Sequence, residues 1–328
     1  MAEWPSSKLL PGRRQRKVQR RILRLLGRNT MEELIWAFLM LMDQNLAKVD
    51  AVQQQLPAPN AMSLARATAF CGPQFLACTA SPNCMKGLFC IARCHLDDQT
   101  CSYRCLLKYD SWLITKFSSC AFEKQNVMNF NTLPPKLPVV KPLEVFSNKQ
   151  LTRHAAVRIL MGHAHGEQKY SWLVAAASSE AYAQFSWQYQ IWFYRKIEKR
   201  LYYKAVFLSE GRDGTDSWHS RTYQVHVSQT PGWWLFTADD AGVLLREYWY
   251  LLVADASLRW MVLYFVGSAR KAGMAYRGCM LLTPDGKVPG QSMMPMISEA
   301  LTRAEMQLWE LRPVRNENHT AGPPPLEI

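Results

Sequence analysis

From position 170 onward the chain repeats one pattern eight times: a short run rich in β-branched and aromatic residues, followed by a turn signal. The runs are YSWLVAAA (170–177), WQYQIWFYR (187–195), RLYYKAVFL (200–208), RTYQVHVSQ (221–229), WWLFTA (233–238), LLREYWYLLVA (244–254), RWMVLYFVG (259–267) and AYRGCMLLT (275–283). EGRDG, TPG, DDAG and ARKAG lie between them. A period of two sends alternate side chains to opposite faces of a strand. Eight such strands with no intervening helix predict a mainly β fold, an eight-stranded up-and-down barrel. Eight is also the strand number whose interior can hold one small ligand. The 12 Trp, 13 Tyr and 13 Phe suit either the walls of an apolar cavity or a barrel filled by its own side chains.

Eight of the nine cysteines fall within 50 residues: Cys71, Cys78, Cys84, Cys90, Cys94, Cys101, Cys105 and Cys120. Such density indicates an oxidising compartment and a stapled helical module. Zinc is the rival reading, because Cys90, Cys94, Cys101 and Cys105 form C-x3-C-x6-C-x3-C. Zinc ribbons favour a C-x2-C knuckle and a longer gap. Two helices bridged at i and i+4 fit the spacing better, so disulfides and no metal are expected. Cys279 stands apart, and parity alone does not assign its partner.

The remaining segments order themselves around these two. Residues 1–65 are a basic N-terminal stretch, and its RRQRKVQRRILRLLGR followed by LIWAFLMLM resembles a targeting address. The cysteine module covers 66–125, with helical spacing around Leu106, Trp112, Leu113 and Phe117, and a Pro-rich linker covers 126–168. Within the linker His163 and His165 lack a third spaced metal ligand, so they read as an exposed loop. The barrel occupies 169–286 and a C-terminal helix 287–311, on the 3–4 spacing of Met293, Met296, Ile297, Ala300, Leu301, Ala304 and Leu308. A disordered polar tail is expected over 312–328. The net charge of +13 comes without a nucleic-acid motif, so it reads as solvated surface and no nucleic-acid partner is expected.

The cysteine run from Cys71 with ASPNC (80–84), the DDQTCSYRC stretch (97–105), and EYWYLL (247–252), VLYFVG (262–267) and AYRGCMLLT (275–283) resemble the violaxanthin de-epoxidase family. The resemblance covers roughly residues 70–310 and implies a lipocalin-like barrel, in which Trp172 takes the place of the first-strand tryptophan. It implies bonds Cys71–Cys78, Cys90–Cys105 and Cys94–Cys101. Cys84 and Cys120 are then left either to pair with each other or for one of them to be taken up by Cys279, which parity alone does not decide. Trp187 stands where the family carries a barrel cysteine, so a bond from barrel to tail is lost.

The family reduces epoxide groups on carotenoid end rings with ascorbate in the acidified thylakoid lumen. The resemblance therefore implies a violaxanthin-like carotenoid ligand, ascorbate as reductant, peripheral contact with thylakoid lipid, and a chloroplast location in or at the lumen; the oligomeric state stays open. Opening an epoxide needs a proton donor at its oxygen, and a carboxyl group buried in an apolar barrel suits that because burial raises its pKa. Glu247 stands at the family's proposed catalytic aspartate, and on a strand it shares a face with Leu245, Trp249 and Leu251. The competing reading inverts that strand and points Glu247 to water beside Arg246. Gln188, Gln190, Gln224, Tyr248, Trp249, Tyr264, Tyr276 and Trp172 are the candidate substrate-binding residues. Several family polar positions are replaced here, by Ala183, Ser186, Gln190, Phe265 and Leu282. The thinned set leaves two expectations: an enzyme acting on xanthophyll epoxides by reduction or isomerisation, or a non-catalytic carotenoid or lipid carrier on the same scaffold.

Overall fold

A computed structural model describes residues 61–94, 99–131, 140–162, 171–178, 185–210 and 216–316. Most of the basic segment, His163 and His165, and the tail from 317 lie outside the described residues.

The period-two runs form β3 (Trp172–Ala177), β4 (Ser186–Arg195), β5 (Arg200–Glu210), β6 (Asp216–Val227), β7 (Trp233–Asp240), β8 (Val243–Ala254), β9 (Met261–Ala269) and β10 (Met274–Thr283). Each pairs antiparallel with the next, and β10 returns to β3, closing a lipocalin-like barrel. Closure removes both sheet edges and buries every inward row. Trp192, Tyr203, Phe236, Trp249 and Leu263 belong to the inner core. On the outer wall Val262, Tyr264 and Cys279 pack with Ile297, Ala300 and Leu301 of the C-terminal helix Met294–Arg303. That helix is shorter than its apolar spacing suggests: Glu305 adopts φ 54°, which ends the turn before Leu308.

The barrel has a lower and an upper end. Below, part of the segment read as linker is ordered. A short hairpin, β1 (Val145–Phe146) with β2 (Lys149–Gln150), leads into a helix, Arg153–Met161, capped by Thr152. Ala156, Ile159 and Leu160 are its buried face, with Leu151 buried just before it, and the 3–4 spacing of the first three was the overlooked signal. The tail is also ordered at its start, contrary to the disorder expected from 312. β11 (Arg312–Pro313) pairs with Ala176 and Ala177 of β3. Val314 is buried, and the Trp187 amide donates to the Arg315 carbonyl. The tail thus links β3 to β4 by backbone bonds.

Above, the cysteine module consists of α1 (Ala61–Ala80), α2 (Pro82–Ala92), α3 (Gln99–Lys108), α4 (Trp112–Ser118) and a π turn, Ser119–Lys124. Its bonds are Cys71–Cys120, Cys78–Cys84, Cys90–Cys105 and Cys94–Cys101. The two pairs between α2 and α3 agree with the expectation; Cys71–Cys78 and Cys84–Cys120 do not. Cys71 sits at a kink in α1 (φ −122°, ψ 22°), and the helical run from there to Cys78 rises roughly 10 Å, beyond what a disulfide spans. The sulfurs of Cys94, Cys101 and Cys105 lie within 4.8 Å of one another, but each is spent in a disulfide rather than held as a thiolate. Cys279 is a buried free thiol. Among the described residues no single helix is long and apolar enough to cross a membrane.

Candidate functional site

Burial along β8 settles which way Glu247 points. On β8, Leu245, Glu247, Trp249 and Leu251 are buried while Leu244 and Arg246 are exposed, so Glu247 faces the lumen at 7% exposure. The inverted strand is excluded. Glu247 pairs with Gly267 on β9, and Gly267 pairs with Tyr276 on β10, so the three form one row across the wall. A Cβ on Gly267 would sit 2.6 Å from Cζ of Tyr276. The missing side chain lets the phenol ring lie across β9 and reach the carboxyl group.

The Tyr276 hydroxyl donates to Glu247 Oε1 at 2.5 Å, and the Trp249 indole N–H donates to Oε2 at 2.7 Å. Burial pushes the Glu247 pKa above its ordinary 4.5, and the two hydrogen bonds only partly oppose it. Glu247 is therefore an acid held in reserve. A hydroxyl both donates and accepts, so Tyr276, which is only partly buried, can pass that proton to a ligand.

Above this pair, Arg221 and Asp240 form an ion pair at 2.8 Å. The Arg221 guanidinium lies 3.8 Å from the ring centroid of Tyr103, which comes from α3 of the cysteine module. Tyr103 also meets Phe185 edge-on at 5.6 Å and Phe207 at 5.9 Å. The disulfide module thus stoppers the barrel mouth with one ring. It is tied to the rim elsewhere: the Glu123 carboxylate accepts from the Leu244 amide at 2.9 Å. At the β7–β8 turn, a Cβ on Gly242 would lie 2.2 Å from the Thr115 carbonyl oxygen, so only glycine lets α4 sit this close.

Below the pair the lumen is filled by the protein itself. Trp192 stacks on Tyr203 at 4.6 Å, Phe236 on Trp249 at 4.5 Å, and Tyr203 meets Trp249 at 5.3 Å. Trp172 closes the floor, its indole donating to the Leu160 carbonyl at 3.0 Å. A rod-shaped guest running the length of the barrel would have to displace this stack. The filled reading of the aromatic content holds in the lower half.

The expected residues divide by strand face. Glu247, Trp249 and Tyr276 meet directly. Gln190 is buried nearby and accepts from the Tyr203 hydroxyl, while Gln188 donates to the Phe185 carbonyl at 2.7 Å. Trp172 is a floor residue. Three placements need correction. Gln224 lies on the outer face of β6, and its neighbour Tyr223 is the buried, inward residue. Tyr248 points outward and stacks on Trp233 at 6.2 Å. Tyr264 packs in the outer cluster against Tyr250 at 5.9 Å. Each error is one of parity, because a single-residue slip exchanges the two faces. Tyr103, Arg221, Tyr223, Asp240 and Gly267 were missed; of these, only Tyr223 carried a sequence signal, in its alternation with Val225.

Among solved structures, the chain is similar to insecticyanin from the tobacco hornworm Manduca sexta, at 12% identity over 58% of this chain and 91% of that one, TM-score 0.39. Lobster apocrustacyanin A1 is similar at 9% identity over 54% of this chain and 93% of that one, TM-score 0.34. A search of curated proteins finds no match. Residues 63–316 match the family model of the VDE lipocalin domain.

Proposed function

The chain belongs to the VDE lipocalin domain family, and we propose on that premise that its barrel mouth receives the epoxide-bearing end ring of a xanthophyll. Glu247, relayed by Tyr276, then protonates the epoxide oxygen. The observation that carries this is a carboxyl group buried in an apolar wall, its pKa raised and one oxygen bonded to a phenol. The polyene extends out through the mouth, since the lower half holds the stacked rings, and Tyr103 swings aside to admit it. Contact with the lipid in which such pigments dissolve follows, and the disulfides suit the chloroplast thylakoid lumen with which the family is associated.

Protonation breaks one epoxide C–O bond, leaving a hydroxyl and a carbon cation. Loss of a proton from the neighbouring carbon to the Glu247 carboxylate completes an isomerisation and restores the acid. Reduction instead takes two electrons from ascorbate as a second substrate and releases water. The described residues build no anion site for ascorbate beside Glu247, because Arg221 is already neutralised by Asp240. The isomerisation branch is thus the one these side chains support. The carrier reading draws on a different observation: Gln188 and Gln190 are spent on protein partners rather than aimed at a guest.

Incubating the folded protein with violaxanthin across acidities, with and without ascorbate, tests the proposal. Glu247→Gln should lower conversion by about 100-fold or more while pigment still co-purifies. Undiminished conversion in that variant removes Glu247 from the chemistry; binding without conversion in the wild type establishes the carrier.

A further inference from the structure

A cavity of about 330 Å³ lies outside the barrel, between the cysteine module and the rim. One wall is Glu123, at the end of the module, with Asn126, Phe130 and Asn131 of the chain just after it; the other is Leu244, Arg246, Ser268, Arg270 and Lys271 from β8, β9 and the turn that follows. Three cations face it against one carboxylate. Lys271 and Glu123 offset each other at 3.5 Å, and Arg270 is held by the Asn131 side-chain oxygen at 2.5 Å. Arg246 is exposed and forms no ion pair among the described residues. It lies opposite Ser268, which is buried although on the outer face. Phe130 and Leu244 supply an apolar patch within the same cavity.

We propose that this cavity binds a small soluble organic anion, one carboxylate or phosphate joined to a compact apolar or ring body. Arg246 and Arg270 take the anionic group by charge-assisted hydrogen bonds, with the Asn131 amide and the Ser268 hydroxyl beside them; the Asn126 side chain is held by the Phe130 backbone. Phe130 and Leu244 cover the ring. A cavity this size suits a ligand at the small end of the range seen for binding sites. Because its walls come from the module and from the barrel, the bound anion holds the two together, which neither the Glu247 chemistry nor the stacked lumen explains.

Benzoate, with inorganic phosphate as the ring-free control, is the probe on the full chain. Benzoate should raise Tm in a saturable, concentration-dependent manner and bind at least about tenfold more tightly than phosphate. Arg246→Glu, at an exposed position with no ion pair among the described residues, should fold normally and weaken benzoate by about tenfold or more. Phe130→Ala should weaken benzoate and leave phosphate unchanged. Vesicles containing phosphatidylglycerol form the remaining arm. Binding to vesicles but not to benzoate would place the anion on a lipid and overturn the proposal, as would benzoate binding indifferent to Arg246→Glu.

Discussion

Glycine 267 shows how one absent side chain organises the site. It lies between Glu247 and Tyr276 in the same row, and any Cβ there collides with the phenol. Gly267→Ala should destabilise the fold by about 1–3 kcal/mol through overpacking and detach Tyr276 from Glu247. Adding Tyr276→Ala should recover part of that loss in a double-mutant cycle; simple additivity of the two changes would show that the contact is not the cause. The acidity of Glu247 gives a second test. Burial raises its folded-state pKa above 4.5, so the folded chain holds that proton more tightly than the unfolded one. The stabilisation is complete below pH 4.5 and is lost as pH rises through the folded value. Glu247→Gln should therefore raise Tm relative to wild type at about pH 7.5 and lose that advantage near about pH 4. An equal Tm difference at both acidities would show that Glu247 is not a buried, late-titrating acid.

At the scale of elements, the cysteine module depends on where its bonds close loops. Cys71–Cys120 spans 49 residues and ties α1 to the π turn, whereas Cys78–Cys84 spans six. Loop-closure entropy puts the long bond at about 4 kcal/mol and the short one at about 2 kcal/mol. Replacing Cys71 and Cys120 together by serine should open the module to protease well before the Cys78/Cys84 double replacement does. Peptide mapping without reduction should recover a fragment joining Cys71 to Cys120. Recovery of one joining Cys71 to Cys78 would overturn this connectivity and mean that the run after the Cys71 kink is not helical.

For the molecule as a whole, the module acts on the barrel through Tyr103, which lies between Cys101 and Cys105 and fills the mouth. Tyr103→Ala should speed pigment uptake, read as the rate of tryptophan-fluorescence quenching, while leaving the number of sites unchanged. The same rate as wild type would mean that the guest enters elsewhere. Arg221 gains nothing from this ring that Asp240 does not already supply in charge, so the ion pair should hold in the variant.

What the residues determined alone is whatever depends on local period and chemistry. The eight alternating runs specified antiparallel strands with one face each to hide; that they close into a barrel rather than pack as two sheets is decided by β10 returning to β3. The inward face of β8 was legible only in part: Leu245, Trp249 and Leu251 put Glu247 on an apolar face, but Arg246 kept the inverted strand open until burial placed Leu244 and Arg246 outside. Cysteine density likewise specified a disulfide module. Pairing within it, by contrast, depends on which helices touch: Cys71 meets Cys120 only once α1 packs beside the π turn. The faces of Gln224, Tyr248 and Tyr264 depended on register, which runs of residues apolar on both faces leave undetermined. The stopper joins residues far apart in the chain, Tyr103 with Arg221, and the floor sets Trp172 on Leu160 across an intervening loop; no local period encodes either meeting. They exist because the ends of a barrel are covered by whatever the rest of the chain brings to them.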